Sequence, residues 1–171
     1  MPVESDKILV KKKKLAERVE IFFTHPAIIP QAVLAFDFGT KKIGVAFAQK
    51  ITRRAIPLAT VNVQNATELW KKIQYLMDEW RPEVFLVGWP GLEGQTNLQL
   101  CTAIADYADE LTNQFKRPVF MVDESFSSQA AHSWLREQDP PRRNVVISKD
   151  SIAACLILEA WYYEVEQPHR P

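Results

Sequence analysis

Residues 33–48 read VLAFDFGTKKIGVAFA, two short apolar runs joined by a polar, glycine-containing turn. Runs rich in Val, Phe and Ala that are bounded by such turns are typical of β-strands. A third run, IPLATVN at residues 56–62, follows a short basic connection, and short connections favour antiparallel neighbours. This stretch of sequence therefore predicts a three-stranded antiparallel meander.

The rest of the chain alternates between helical and strand patterns. Apolar residues recur at helical spacing in residues 68–80, and Pro82 lies just beyond them, where a helix would end. The patterns that follow are a strand at 83–88, a helix at 101–115, a strand at 118–122 and helices at 127–135 and 150–165. Since parallel strands need right-handed helical crossovers, this order predicts an α/β fold. The expected architecture is a mixed five-stranded sheet, the antiparallel meander plus two parallel strands, flanked by helices.

The composition fits one compact domain. The chain has 171 residues, of which 47% are hydrophobic and 25% are charged, so it can bury an adequate core. Its first residues lack the apolar stretch of a secretory signal, and no apolar run approaches the length of a membrane span. Cys101 and Cys155 lie in apolar helical patterns, where a free thiol is usually a small buried hydrophobe. We therefore expect a cytoplasmic protein without disulfides.

The N-terminal residues differ from the rest of the chain. They carry a run of four lysines at Lys11 to Lys14, followed by two prolines before the first strand pattern. Residues 15–23 have some helical character, and the lysines could bind nucleic acid, but such a charge run is more often simply solvated. We interpret residues 1–32 as a flexible basic arm and residues 33–171 as the folded domain.

Asp37 interrupts the first predicted strand with a carboxylate. It shares a face of the strand with Val33 and Ala35, where an unpaired ion would be costly. A structural explanation, in which the carboxylate accepts bonds from backbone amides at the Gly39 turn, is equally open. On either interpretation, Asp37 needs a partner.

Two further acids lie at the ends of predicted elements. Glu124 follows the strand at 118–122, and ligands gather outside the carboxyl ends of strands in α/β sheets. Asp150 opens the last helix, where an acid is also favoured by the helix dipole without any function. Three carboxylates on different elements supply the hard oxygen ligands that Mg²⁺ or Mn²⁺ requires. We predict Asp37, Glu124 and Asp150 as the catalytic and metal-binding acids of a nuclease that cleaves phosphodiester bonds with divalent metal ions.

Basic residues provide a local surface for nucleic acid, although the net charge is zero. Lys and Arg together number 21, as do Asp and Glu, yet no acid occurs between Phe38 and Thr67. Solvated loops would explain these charges equally well. The predicted contacts to the phosphate backbone are Lys41, Lys42, Arg53, Arg54, Arg142, Arg143 and Lys149.

Four stretches of the sequence resemble the YqgF/RuvX family of Holliday-junction resolvase-like proteins, also described as pre-16S rRNA nucleases. They are DFGTKKIGVA at residues 37–46, VGWP at 87–90, VDESFSS at 122–128 and KDSIAACLIL at 149–158. The resemblance covers residues 33–162 and implies an RNase H-like fold. It also implies catalytic roles for Asp37, Glu124 and Asp150, and a part in ribosome biogenesis through 5′-end maturation of pre-16S rRNA.

The chain departs from the family pattern at three places. Ser125 stands where family members commonly have an arginine, so one expected phosphate contact is missing. Glu93 replaces the aspartate of a longer Asp-Gly loop, and the residues before Val33 have no counterpart. These departures bear on how the substrate is held.

Other functions remain open at this point. The stretch DFGT at residues 37–40 also resembles the first phosphate loop of actin-like ATPases. Those enzymes enclose the nucleotide between two lobes, whereas this chain has the length of one lobe. A Holliday-junction resolvase and a non-catalytic RNA- or ribosome-binding module are further alternatives. Nothing in the sequence separates RNA from DNA as the substrate, since no base-stacking motif is evident. The three histidines, His25, His132 and His169, lack the spacing of zinc ligands.

Overall fold

The computed structural model describes residues 3–93, 97–124 and 148–166. Within these ranges the chain forms five strands, four α-helices and one short 3-10 turn, at Glu20–Phe22. The strands are β1 (Ala32–Phe38), β2 (Lys42–Gln49), β3 (Ile56–Asn62), β4 (Val84–Trp89) and β5 (Val119–Asp123). The helices are α1 (Glu4–Val19), α2 (Ala66–Trp80), α3 (Leu98–Phe115) and α4 (Lys149–Glu166).

The strands form one mixed sheet in the order β3-β2-β1-β4-β5. β1 pairs with β2, and β2 with β3, in antiparallel fashion. β1 with β4 and β4 with β5 are parallel pairs. The predicted meander with two added parallel strands is therefore confirmed, and β1 lies at the centre of the sheet.

Local sequence signals define the ends of α2 and α3. The side chain of Asn65 accepts a hydrogen bond from the amide of Glu68, and Asn97 accepts bonds from two amides at the start of α3. Such caps satisfy amides that have no partner within the helix. Both helices end at a residue with left-handed backbone, Arg81 and Lys116, a common way to terminate a helix.

The sheet separates two apolar layers. One face packs against α2 and α3, and its core includes Phe36, Phe85 and Leu111. The other face packs against α4, among the elements that the structure describes, and is built of smaller residues, such as Ala35 and Ala46. Small side chains bring the backbone of α4 close to the sheet, and this closeness shapes the site described below.

Part of the segment predicted as a flexible arm is a helix packed on the domain. Leu15 and Val19 of α1, with Phe22 of the 3-10 turn, are buried in the same core as α3. Arg18 donates hydrogen bonds to Asp106 and Asp109 of α3, at 2.7 and 2.6 Å. Residues 15–22 thus differ from the arm predicted for residues 1–32, because Leu15, Val19 and Phe22 present a short apolar face that packs on the domain.

Some predictions fall outside the described part of the chain. The helix expected at residues 127–135 and nearly all of the loop expected at 136–149 lie there. Cys101 and Cys155 are both buried and free, as the sequence suggested. None of the described helices is long and apolar enough to cross a membrane.

Candidate active site

Asp37 lies one residue before the end of the central strand β1. It is partly buried, and the alternation along the strand places its side chain on the face that packs against α4. In the antiparallel register its partner on β2 is Gly44. The carboxyl ends of β4 and β5 lie at the same end of the sheet as that of β1, since both strands run parallel to β1.

Glu124 reaches Asp37 across β4. It follows the last residue of β5, and its carboxyl group shares a hydrogen bond with that of Asp37. The strand between them carries Gly88, where an added Cβ would lie 2.2 Å from Oε1 of Glu124 and 2.6 Å from Cδ1 of Ile157. Gly88 therefore leaves the space through which the Glu124 side chain passes.

A hydrogen bond between two carboxyl groups requires one proton, and the site assigns it to Glu124. Burial raises the pKa of Glu124 to about 8, with further contributions from the charge of Asp37, the bond to Asp37 and the charge of Asp123. Burial also raises the pKa of Asp37; the Glu124 bond opposes this rise, and the charge of Asp150 adds to it. Near neutral pH, the protonated carboxyl group of Glu124 donates a hydrogen bond to the Asp37 carboxylate.

Asp150 approaches from the opposite side of Asp37. An added Cβ at Gly44 would lie 1.9 Å from the backbone oxygen of Asp150 and 2.7 Å from the backbone nitrogen of Ser151. Only a glycine on β2 therefore admits the first turn of α4 at this point. The charge of Asp150 acts on Asp37, so all three predicted acids belong to one electrostatic site.

Hydroxyl groups hold the start of α4 in place. The Oγ of Ser148 accepts a bond from the amide of Ser151 at 3.1 Å, and the Oγ of Ser151 donates to the backbone oxygen of Ser148 at 2.9 Å. Ser148 Oγ also bonds Thr60 Oγ1 on β3. Because Thr60 pairs with Gly44 in the sheet, this contact fastens the helix beside the strand it crosses.

The acids do not form a closed ligand set in this conformation. Within residues 3–93, 97–124 and 148–166, no three His, Cys, Asp or Glu side chains are arranged to hold a metal ion. Asp37 and Glu124 bond to each other, whereas Asp150 influences Asp37 through its charge. The structure thus brings the predicted residues to one place, with a proton shared between two of them.

The predicted basic residues divide into two groups. Lys41 is exposed in the turn that follows β1, and Lys42 is exposed as the first residue of β2. Lys149 is exposed beside Asp150, so these three lysines lie at the end of the sheet that carries the acids. The positions of Arg142 and Arg143 lie outside the described residues.

Arg53 and Arg54 lie at the opposite end of the molecule. They follow β2, whose last residue pairs with the first residue of β1. Arg53 forms an ion pair of 2.9 Å with Glu166, at the end of α4 remote from Asp150. Asp150 and Glu166 lie at the two ends of α4, roughly 24 Å apart along the helix at about 1.5 Å per residue. The two arginines predicted to contact the phosphate backbone therefore lie far from the acids, because antiparallel pairing places successive turns at opposite ends of the sheet.

Four residues that shape the site were missed in the sequence. Gly44 and Gly88 interrupt otherwise apolar strands, and a glycine inside a strand often marks a close approach of backbone or ligand. That signal was available and would have singled out both. Ser148 and Thr60, in contrast, become partners only through the tertiary fold.

The order of the sheet and the acids at the carboxyl end of its central strand define an RNase H-like α/β protein. A family model described as "RuvX: Holliday junction resolvase" matches residues 31–164. The chain therefore belongs to the RuvX family.

Curated relatives agree with this assignment. A protein of Legionella pneumophila (strain Lens) named "Putative pre-16S rRNA nuclease" is 39% identical over 139 residues, which cover 81% of this chain and 100% of the relative. A protein of the same name from Saccharophagus degradans is 37% identical over 77% of this chain and 93% of its own length. Among solved structures, Thermus thermophilus RuvC bound to a Holliday junction superposes with a TM-score of 0.52 at 18% identity, covering 78% of this chain and 94% of that one. That likeness supports the fold alone.

Proposed function

We propose that this protein is a metal-dependent nuclease that hydrolyses phosphodiester bonds during 5′-end maturation of pre-16S rRNA. The family and the names of the curated relatives support the activity and the substrate. The observation that carries the proposal is the contact between Asp37 and Glu124, with Asp150 beside them. This contact lies at the end of the sheet where the parallel strands β1, β4 and β5 have their carboxyl ends. Groups with strongly perturbed pKa values in a cluster of acids are typical of functional sites.

The donor set of this site fits a divalent metal ion. Two partly buried carboxyl groups in contact cannot both be ionised without a compensating positive charge, and here a proton supplies it. A hard cation satisfies the same requirement, and carboxylate oxygens are the ligands that Mg²⁺ and Mn²⁺ prefer. Asp37 and Glu124 would hold the ion, with Asp150 as a third acid. When bound, such an ion supplies Lewis-acid stabilisation of the charge that develops on the phosphate oxygens.

The protein's own residues then have distinct tasks. Asp37 is fixed by the central strand, and Glu124 is directed to it by the space above Gly88. Asp150 is held by the backbone contact of α4 with Gly44. Lys41, Lys42 and Lys149 are exposed at the same end, where they can position a phosphate backbone without reading its sequence.

The test is a set of isosteric substitutions, Asp37→Asn, Glu124→Gln and Asp150→Asn, with Glu79→Gln on the exposed face of α2 as the matched control. Each active-site variant should lose at least about 100-fold in the cleavage rate of a pre-16S rRNA fragment in Mg²⁺, the scale of removing one electrostatic group from an active site. In chelator Asp37→Asn and Asp150→Asn should be as stable as the wild type or slightly more so, since a repulsive charge is removed. Glu124→Gln replaces a neutral carboxyl group with a neutral amide that can still donate a hydrogen bond to Asp37, so its stability near neutral pH should stay close to that of the wild type. Mg²⁺ should raise the melting temperature of the wild type and of the control only.

Branched DNA is the second candidate substrate, because the matching family model is described as a Holliday junction resolvase. Four-way DNA junctions should therefore be assayed beside the RNA. Preferential cleavage of the junctions would replace the rRNA proposal and leave the site assignment intact. Full cleavage by any of the three active-site variants would contradict the site itself, and binding without cleavage by the wild type would favour a non-catalytic module.

A further inference from the structure

The first helix carries a concentrated positive charge that the active site does not account for. Between Lys7 and Lys14 the helix contains five lysines and no acid. Lys11, Lys13 and Lys14 are exposed, and we refer to these three as the α1 lysine patch. All of them precede residue 31, where the match to the family model begins.

The second half of α1 anchors the patch to the domain. Leu15 and Val19 are buried in the main core, and Arg18 bonds two aspartates of α3. The residues from 3 to 10 are exposed, so the helix projects from this anchor. The lysines are thus carried on a supported helix, and Arg18, one turn after Lys14, binds the acids of α3.

The contacts of α1 give its direction. Arg18 meets α3 at Asp106 and Asp109, whereas Lys12, earlier in α1, exerts its charge on Cys101, earlier in α3. The two helices therefore run in the same sense. α3 begins after the carboxyl end of β4, which is the end of the sheet that carries the acids. The first turns of α1 therefore lie toward that same end.

One contact within the domain and one contact of the N-terminal segment relate this segment to the site. The thiol of Cys101 donates a hydrogen bond of 3.5 Å to the backbone oxygen of Gly91. Burial raises the pKa of this thiol, the charge of Glu124 raises it further, and the charge of Lys12 lowers it. The ring of Phe23, just after the 3-10 turn, packs edge-on against Trp89, the last residue of β4, with centroids 6.3 Å apart. The N-terminal segment is thus joined to the structure that surrounds Glu124.

We propose that the α1 lysine patch is an additional binding surface for the phosphate backbone of the nucleic acid substrate. The proposal rests on the proposed nuclease function and extends it to a segment outside the family match. Lysines on a helix suit this role because they neutralise phosphates as point charges and release counterions, without sequence preference. The patch also adds positive charge to a chain in which Ser125 stands where the family resemblance implies an arginine.

The experiment compares a triple variant, Lys11→Gln, Lys13→Gln and Lys14→Gln, with a control that removes three exposed cations elsewhere, Lys71→Gln, Lys72→Gln and Arg117→Gln. Binding of a fluorescein-labelled RNA hairpin is measured in chelator by anisotropy over a series of salt concentrations. Each lost phosphate contact lowers the slope of log affinity against log salt by about 0.7 to 0.9, so the patch variant should lose about 2 to 3 units of slope. The control variant should keep the wild-type slope.

Gln has nearly the helix propensity of Lys, so circular dichroism and melting temperature should not change and will exclude unfolding as the cause. With cleavable RNA in Mg²⁺, the patch variant should raise KM and leave kcat near the wild-type value. A slope equal to that of the wild type, or an equal loss in the control, would overturn the proposal. A wild type that cleaves no RNA, while the patch variant still loses its slope, would defeat the nuclease function and not the binding surface.

Discussion

At the scale of single residues, the site depends on two glycines, Gly44 and Gly88, as much as on its acids. Asp37 is tolerated inside the sheet because its carboxylate receives a proton-bearing partner, Glu124. The side chain of Glu124 can reach Asp37 because Gly88 has no Cβ in its way. The first turn of α4 can approach Asp37 because Gly44 also has no Cβ. The alternative explanation, an aspartate tied only to amides of the Gly39 turn, is not what the structure shows: the amide of Gly39 bonds the backbone oxygen of Lys42 instead.

The raised pKa of Glu124 predicts a pH dependence of stability. Its ordinary pKa near 4.5 applies to the unfolded chain, and the folded value is about 8. Between these values the folded protein holds a proton that the unfolded chain has released, so the unfolding free energy should fall as the pH rises from 4.5 to 8. Below this window both states are protonated and the stability is fully present. Denaturant titrations in chelator across the range would measure this slope.

The matched variants isolate the source of this slope. Glu124→Gln carries no titratable group, so its stability should vary less across the same pH range, whereas Glu79→Gln, at an exposed position, should behave like the wild type. The residual slope of Glu124→Gln reports on Asp37, whose pKa is also raised. Equal slopes in the wild type and in Glu124→Gln would show that Glu124 ionises normally in the folded protein.

At the scale of the elements, α1 and α4 illustrate opposite kinds of helix. α4 is apolar along most of its length and buries Ala154, Cys155, Leu158 and Trp161 against the sheet. Its first turn cannot slide along the sheet, because hydroxyl contacts tie Ser148 to β3 and the backbone of Asp150 rests on Gly44. α1 buries only Leu15 and Val19, and its remaining surface is polar or exposed.

Two truncations separate the anchor of α1 from its exposed end. Removal of residues 1–22 should lower the unfolding free energy by several kcal/mol, because Leu15, Val19 and Phe22 each contribute about 1.5 to 3 kcal/mol through burial. Removal of residues 1–10, which contribute no buried side chain from residue 3 onward, should leave the melting temperature within a few degrees of the full chain. Thermal melts followed by circular dichroism would distinguish the two. If both truncations melted like the full chain, α1 would not be packed on the domain in solution.

At the scale of the whole molecule, the antiparallel meander distributes the positive charges to both ends. The turn after β1 holds Lys41 and Lys42 beside the acids, whereas the turn after β2 holds Arg53 and Arg54 at the remote end. A shallow depression lined by Gln31, Lys50, Ile51 and Arg53 also lies at that remote end and therefore has no part in the chemistry proposed here.

This division predicts different salt dependences for two double variants. Lys41→Gln with Lys42→Gln should lower the slope of log RNA affinity against log salt by about 1.4 to 1.8, the loss of two phosphate contacts. Arg53→Gln with Arg54→Gln should leave the slope unchanged and cost less than about 1 kcal/mol of stability, since the ion pair with Glu166 is largely exposed. Anisotropy titrations and thermal melts measure both effects. The reverse result would place the substrate at the other end of the sheet.

The sequence by itself determined the architecture and suggested the acids of the candidate site. The meander, the two parallel strands and the helices α2, α3 and α4 followed from apolar periodicity, turn residues and Pro82, which are local signals in consecutive residues. Asp37, Glu124 and Asp150 could be proposed because each stands at the end of an element, and parallel strands bring their carboxyl ends to a common edge.

Only the tertiary structure decided how these acids meet and what surrounds them. The proton between Asp37 and Glu124 depends on burial and on the space above Gly88, which no spacing in the chain specifies. The packing of α1 on α3 depends on contacts between residues about 90 positions apart, such as Arg18 with Asp106 and Asp109. Whether a basic residue lies near the acids is likewise set by strand direction, because each antiparallel turn reverses the end of the sheet at which the next residues emerge.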